Sequence, residues 1–122
     1  MKGILFVGFG GFIGSISRYL IGEFVIKNGS HLPLGTLTVN LAGSFLIGIL
    51  AAWLLKSGHQ QSYFLLATGF CGGFTTFSTF SLESLKLLKD AQYSQYAIYL
   101  TISVLGGLIL CLFGYWLAQK LT

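Results

Sequence analysis

Charge is what this sequence has least of. Of 122 residues, seven are Lys or Arg and three are Asp or Glu, 8% in all, against roughly 25% in a typical soluble domain. Residues 28–55, 57–82 and 91–119 contain none of the four charged types. Each of these runs exceeds the ~20 apolar residues that a bilayer-crossing helix needs. A fourth stretch, 3–26, is interrupted only by Arg18 and Glu23. A soluble chain this poor in charge lacks the polar surface to cover itself. A soluble enzyme, a nucleic-acid binder and a secreted disulfide scaffold are therefore excluded. What remains is a small all-α integral membrane protein, with four transmembrane helices over about 3–26, 34–55, 63–88 and 96–118 in one domain. It is expected as a multi-pass protein of the cell membrane, in contact with the lipid bilayer.

Cysteine, histidine and proline are also scarce. The two cysteines, Cys71 and Cys111, lie inside apolar runs and read as packed thiols. The two histidines, His31 and His59, fall in presumed loops without Cys or carboxylate partners at ligand spacing, which speaks against a side-chain metal site. The single proline, Pro33, suits a helix start. The apolar run after Lys2 has no small-residue cleavage site and is read as the first span, not as a signal peptide. The net charge of +4 would suggest nucleic acid in a soluble protein. Here the lysines stand at span ends, where they meet headgroups and water.

An even number of spans places both termini on one side. Lys2, Lys56 and Lys120 then oppose Lys27, Lys86 and Lys89, with Arg18 too deep to assign. Orientation follows an imbalance of Lys and Arg across the membrane, and this chain has none. Either another feature such as Arg18 sets the orientation, or the chain inserts both ways and an antiparallel homodimer can form.

Three apolar cylinders carry small or polar stripes at steps of four: Gly10, Gly14, Arg18 and Gly22; Thr36, Asn40, Ser44 and Gly48; Tyr99, Ser103 and Gly107. Such a step keeps residues on one helix face. The glycines, among 17 in the chain, read as close helix packing. VGFGGFIG fails the dinucleotide spacing, because Ile13 stands where the third glycine belongs. Asn40 has two readings: interhelical glue, or an amide that replaces the water of a passing anion.

Residues 69–81, GFCGGFTTFSTFS, are the most informative segment. Gly69, Gly72 and Gly73 followed by two threonines predict a helix break near Gly72-Gly73 at mid-membrane. Irregular backbone at that depth needs protein, a wet cavity or an ion around it, and the freed carbonyls suit a small hard cation. Phe77 and Phe80 share one face; Thr76, Thr79 and Glu83 share another. Ring edges and hydroxyls can both meet an anion, although packing alone also explains two phenylalanines at helical spacing.

These residues carry a resemblance. Gly10-Gly11-Phe12-Ile13-Gly14 through Arg18-Tyr19, Pro33-x-Gly35-Thr36 through Asn40-x-x-Gly43-Ser44-Phe45, and Gly69 through Phe80 followed by Glu83 resemble the Fluc (CrcB) fluoride channels over essentially the whole chain. The resemblance implies an antiparallel dual-topology homodimer whose third helix is broken at its centre, with two pores for passive fluoride export from the cytoplasm. Asn40, Phe77, Phe80, Ser78, Thr79, Tyr99 and Ser103 would line the pore, with Arg18 in the vestibule. A structural sodium would be held by the carbonyls of Gly72 and Thr75 from both subunits. The family's next polar-track serine falls near Gly107, which has no hydroxyl. Fluoride holds its water strongly, so modest, distributed donors suit its passage better than lysines that would trap it.

The alternative is a small multidrug-type proton-coupled exchanger, similar in length and span count. That chemistry depends on a Glu within the first helix, where this chain has Arg18. In a non-transporting assembly subunit the stripes would be glue alone. No residues suggest an enzyme.

Overall fold

The computed structural model describes residues 1–26 and 32–121. The expected loop at 27–31, with Lys27 and His31, lies outside the described residues, as does Thr122. Among the described residues all regular structure is helical. Helix α1 is Lys2–Ile26 and α2 is Leu34–Ser57. Helix α3 covers 60–74 and widens to π geometry over Tyr63–Cys71. Helix α4 is Phe77–Lys89, and α5 is Tyr93–Leu121, with a π turn at Ile102–Gly106. Pro33 stands immediately before α2, and its carbonyl accepts the Leu37 amide at 3.1 Å. Gly58 ends α2 at φ 64°, a left-handed conformation that favours glycine.

Among the described residues, three helices are long and apolar enough to cross a membrane: Lys2–Val25, Leu34–Leu54 and Tyr93–Leu121. The stretch expected as span 63–88 is divided between α3 and α4. The protein is thus an all-α, largely membrane-spanning bundle.

The division does not fall at Gly72-Gly73. Gly72 is helical, at φ −63° and ψ −38°. The chain leaves the helix at Thr75 (φ −86°, ψ 159°) and Thr76 (φ −153°, ψ 118°) and re-enters at Phe77. Two extended β-branched residues make the break. Gly69 and Gly73, before it, serve close approach instead, while Gly72 has open space where a Cβ would stand. A Cβ at Gly73 would press on the Gly11 backbone, and one at Gly69 would come within 3.0 Å of the Gly10 Cα.

The packing is the reverse of a soluble core. Gly10 and Gly14 of α1 meet the α3 backbone at Leu65 and Phe70 so closely that neither has room for a Cβ. Gly48 and Gly114 join α2 to α5 in the same way, at Cys111 and Phe45. Large apolar residues such as Phe9, Phe12 and Ile16 of α1, and Leu108, Ile109 and Leu112 of α5, point outward. Lipid tails are as apolar as leucine, so burying such side chains drives no helix association. Backbone contact between small residues does. A compact apolar cluster of Leu37, Phe80, Leu87 and Tyr99 ties α2, α4 and α5 together beside the break.

Candidate functional site: a broken helix and its two cavities

The polar stripe of α2 runs along everything that matters for the site. Thr36 reaches α4, donating to Glu83 Oε1 at 2.8 Å. Asn40 reaches the break. Ser44 faces Gly107 on α5, and Gly48 faces the Cys111 backbone. One four-residue periodicity therefore positions three polar side chains and a glycine against three different segments.

Asn40 closes the break as a strand neighbour would. Its Oδ1 accepts the Thr76 amide at 2.8 Å, and its Nδ2 donates to the Thr76 carbonyl at 3.1 Å. The carboxamide thereby satisfies both backbone groups of an extended residue. The Thr76 amide must donate, so the amide orientation of Asn40 is fixed by this pair. Nδ2 carries two hydrogens and this pair uses one. Glue and anion donor are therefore compatible roles for Asn40.

The break also sets two helix ends against each other. Thr75 still donates to Cys71, its amide at 3.0 Å and its hydroxyl at 2.9 Å, both to the carbonyl. The Thr76 amide is the donor a continuous helix would give to Gly72, and it goes to Asn40 instead. The first turn of α4 is capped by Thr76, whose Oγ1 accepts the Thr79 amide at 3.3 Å. That hydroxyl also lies 3.1 Å from Thr79 Oγ1 and 3.2 Å from Ser78 Oγ. A helix amino end carries partial positive charge and exposed donors, which favour negative charge beside it.

Two cavities meet at Thr76. The wider, about 740 Å³, is bordered by Arg18, Glu23, Thr36, Thr79, Glu83 and Lys86. The narrower, about 460 Å³, is bordered by Asn40, Ser44, Gly72, Phe77, Phe80 and Ser103, among others. Thr76 borders both. Arg18, expected at a vestibule, lines the wider space. Asn40, Phe77, Phe80 and Ser103, expected along one pore, line the narrower one. Thr79 borders the wider cavity, while Ser78 is exposed and meets Thr76.

The aromatic residues differ from one another. Phe77 and Phe80 have ring centroids 5.6 Å apart, and Phe80 and Tyr99 are 5.1 Å apart. Yet Phe77 is 79% exposed and Phe80 only 8%. The Phe77 ring stands off the rest of the chain. Tyr99 is buried, and its hydroxyl donates to Glu83 Oε2 at 2.7 Å. Glu83 thus accepts from Thr36 and Tyr99 together. Nothing in the residue pattern assigns Glu83 a role or joins Thr36, Glu83 and Tyr99. The nearest signal is the helical face that Glu83 shares with Thr76 and Thr79. On α5, Ser103 sits in the π turn, a feature common at functional sites, and its Oγ is buried without a partner among the described residues.

A family model described as CrcB-like protein, Camphor Resistance (CrcB), matches residues 5–115. The chain belongs to this family. Relatives named fluoride-specific ion channel FluC are similar along almost the whole chain. One from Chlorobaculum tepidum is 45% identical over 99% of this chain and 97% of its own length. One from Leptospira interrogans serovar copenhageni is 48% identical over 98% and 96%. A FluC 1 protein from Geobacillus kaustophilus is 44% identical over 91% and 93%. The CrcB match takes in both helix ends at the break, both cavities and the α2 stripe.

Proposed function

We propose that the protein is a fluoride-selective channel of the plasma membrane, not an enzyme, which lets fluoride leave the cytoplasm passively. The single observation that carries this reading is the Asn40–Thr76 pair. It holds open a mid-membrane break, beside an α4 amino end, next to a cavity whose lining mixes donors with phenylalanine rings. The relatives' shared name, fluoride-specific ion channel, supports the choice of ion. Asn40, Ser78, Thr79, Tyr99 and Ser103 supply polar groups along the route, Phe77 and Phe80 supply ring edges, and Arg18 draws anions into the vestibule. Tyr99 acts there through Glu83, which its hydroxyl engages.

In this reading α3 and α4 together form one broken span, giving four spans in all. Two copies assemble antiparallel. Two features support a second copy: the balanced lysines, and a Phe77 ring that projects from the protomer beside the narrower cavity. The copies insert in both orientations, so adding two or three lysines to the turn at Asp90–Gln92 should bias insertion and lower activity. A terminal tag reporting from one side only in the unmodified protein would contradict dual topology.

A sodium ion fits the break. The Gly72 carbonyl gives up its helical amide to Asn40, nothing lies within 4 Å of where a Gly72 Cβ would stand, and the Thr75 backbone is extended. Among the described residues no three His, Cys, Asp or Glu side chains converge, and neutral carbonyl oxygens suit a hard ion. Gly72 and Thr75 would hold it, with the same two residues of a second copy. Bound there, the ion would join the copies and supply positive charge between two anion routes. Fluoride efflux from liposomes, with chloride as control, tests the function. A proton-coupled exchanger is not favoured, since the acidic residue of α1, Glu23, is exposed near the helix end.

A further inference from the structure

Ser44 stands one helical turn beyond Asn40 and lines the same cavity as Asn40 and Ser103. Its hydroxyl donates to the Asn40 carbonyl at 2.8 Å. Inside a helix that carbonyl already receives the Ser44 amide, so the hydroxyl can turn away and leave no backbone group unpaired. Facing Ser44 on α5 is bare backbone. A Cβ at Gly107 would lie 3.3 Å from Ser44 Oγ and 4.0 Å from Ser44 Cβ. Gly107 therefore keeps open the space into which Ser44 points. Ser103, four residues earlier on α5, brings to the same cavity a buried hydroxyl with no protein partner among the described residues. A buried hydroxyl without a partner is costly unless something occupies the cavity beside it.

We propose that Ser44 is a donor for the permeating anion, paired across the cavity with Ser103, and that Gly107 is what gives it room. The inference rests on the fluoride reading above. A small, strongly hydrated anion arriving from Asn40 receives the Ser44 hydroxyl, which rotates about its Cβ–Oγ bond from the Asn40 carbonyl to the ion. The Ser103 hydroxyl approaches from the other helix. On departure the Ser44 proton returns to the carbonyl. A donor with an alternative acceptor at hand binds without trapping, as conduction requires. No proton changes owner and no charge is left behind.

The test is fluoride efflux from liposomes with four proteins: wild type, Ser44→Ala, Ser44→Thr, and Ser44→Ala combined with Gly107→Ser. Ser44→Ala should slow efflux about tenfold, the order of one lost hydrogen bond at the barrier. Its elution profile and melting temperature should not change, because a hydroxyl bonded back to its own helix adds little stability. Ser44→Thr keeps the hydroxyl and should conduct. The double variant returns a hydroxyl from α5, in the space that alanine vacates, and should recover most of the lost rate. Full flux from Ser44→Ala would overturn the proposal while leaving the channel reading intact. So would slow flux that neither rescue restores, since that is the behaviour of a packing residue. A wild type that passes no fluoride would overturn the channel reading and this proposal with it.

Discussion

Asn40 and Thr76 are joined by two hydrogen bonds, 2.8 and 3.1 Å long, that make a side-chain amide stand in for a neighbouring peptide. This pair lets the chain leave the helix between α3 and α4 without stranding the Thr76 backbone groups. It also fixes the carboxamide so that its second N–H remains for the cavity.

Asn40→Asp follows directly from that geometry. One carboxylate oxygen can still accept the Thr76 amide, but the other then faces the Thr76 carbonyl, and the N–H that residue 40 offers the cavity is gone. Fluoride flux should fall at least a hundredfold. The fold should lose about 1–3 kcal/mol, the usual cost of leaving a buried group unsatisfied. Liposome efflux and thermal melting in detergent measure the two effects separately.

Phe77→Ile and Phe80→Ile should both slow flux strongly, because each loses a ring edge while keeping most of its volume. Their stabilities should differ. Phe80 is buried against Tyr99 and within the Leu37–Leu87 cluster, so its replacement should cost about 1–2 kcal/mol, of the order of a lost aromatic pair and imperfect repacking. Phe77, mostly exposed, should cost the fold little when replaced. Full flux from both variants would return the rings to a packing role.

Gly10 and Gly14 should not tolerate even alanine. A Cβ at either would overlap the α3 backbone at Leu65 or Phe70, and backbone cannot swing aside. Gly8, with open space around it, should accept alanine freely. Size-exclusion profiles of Gly14→Ala and Gly8→Ala should therefore diverge: aggregation or loss of yield for the first, an unchanged peak for the second.

Exhaustive removal of sodium should reduce both flux and dimer integrity, and restoring sodium should rescue them. Indifference of both properties to exchange among sodium, lithium and potassium would remove the cation from the break at Gly72 and Thr75.

The sequence made some of this legible and hid the rest for physical reasons. The α2 stripe was readable because polar residues at a four-residue step stand out on an apolar cylinder, and each of them meets something. The break was read to within three residues. Glycine signals both a weak helix and a close contact, and here Gly69 and Gly73 serve contact, while Thr75 and Thr76 carry the extended backbone. The Thr36–Glu83–Tyr99 cluster was not legible, because its partners come from three helices and only the packing of α2, α4 and α5 joins them. Phe77 and Phe80 looked equivalent three residues apart. Which of them turns into the bundle depends on where Tyr99 lies.

The most direct measurement loads liposomes with fluoride and chloride together, sets a potassium gradient with a potassium ionophore, and follows both anions with ion-selective electrodes. Purified protein should release fluoride rapidly and retain chloride, with a rate independent of any proton gradient and abolished in Asn40→Asp. Fluoride release no faster than from empty liposomes, or chloride released equally well, would contradict the account.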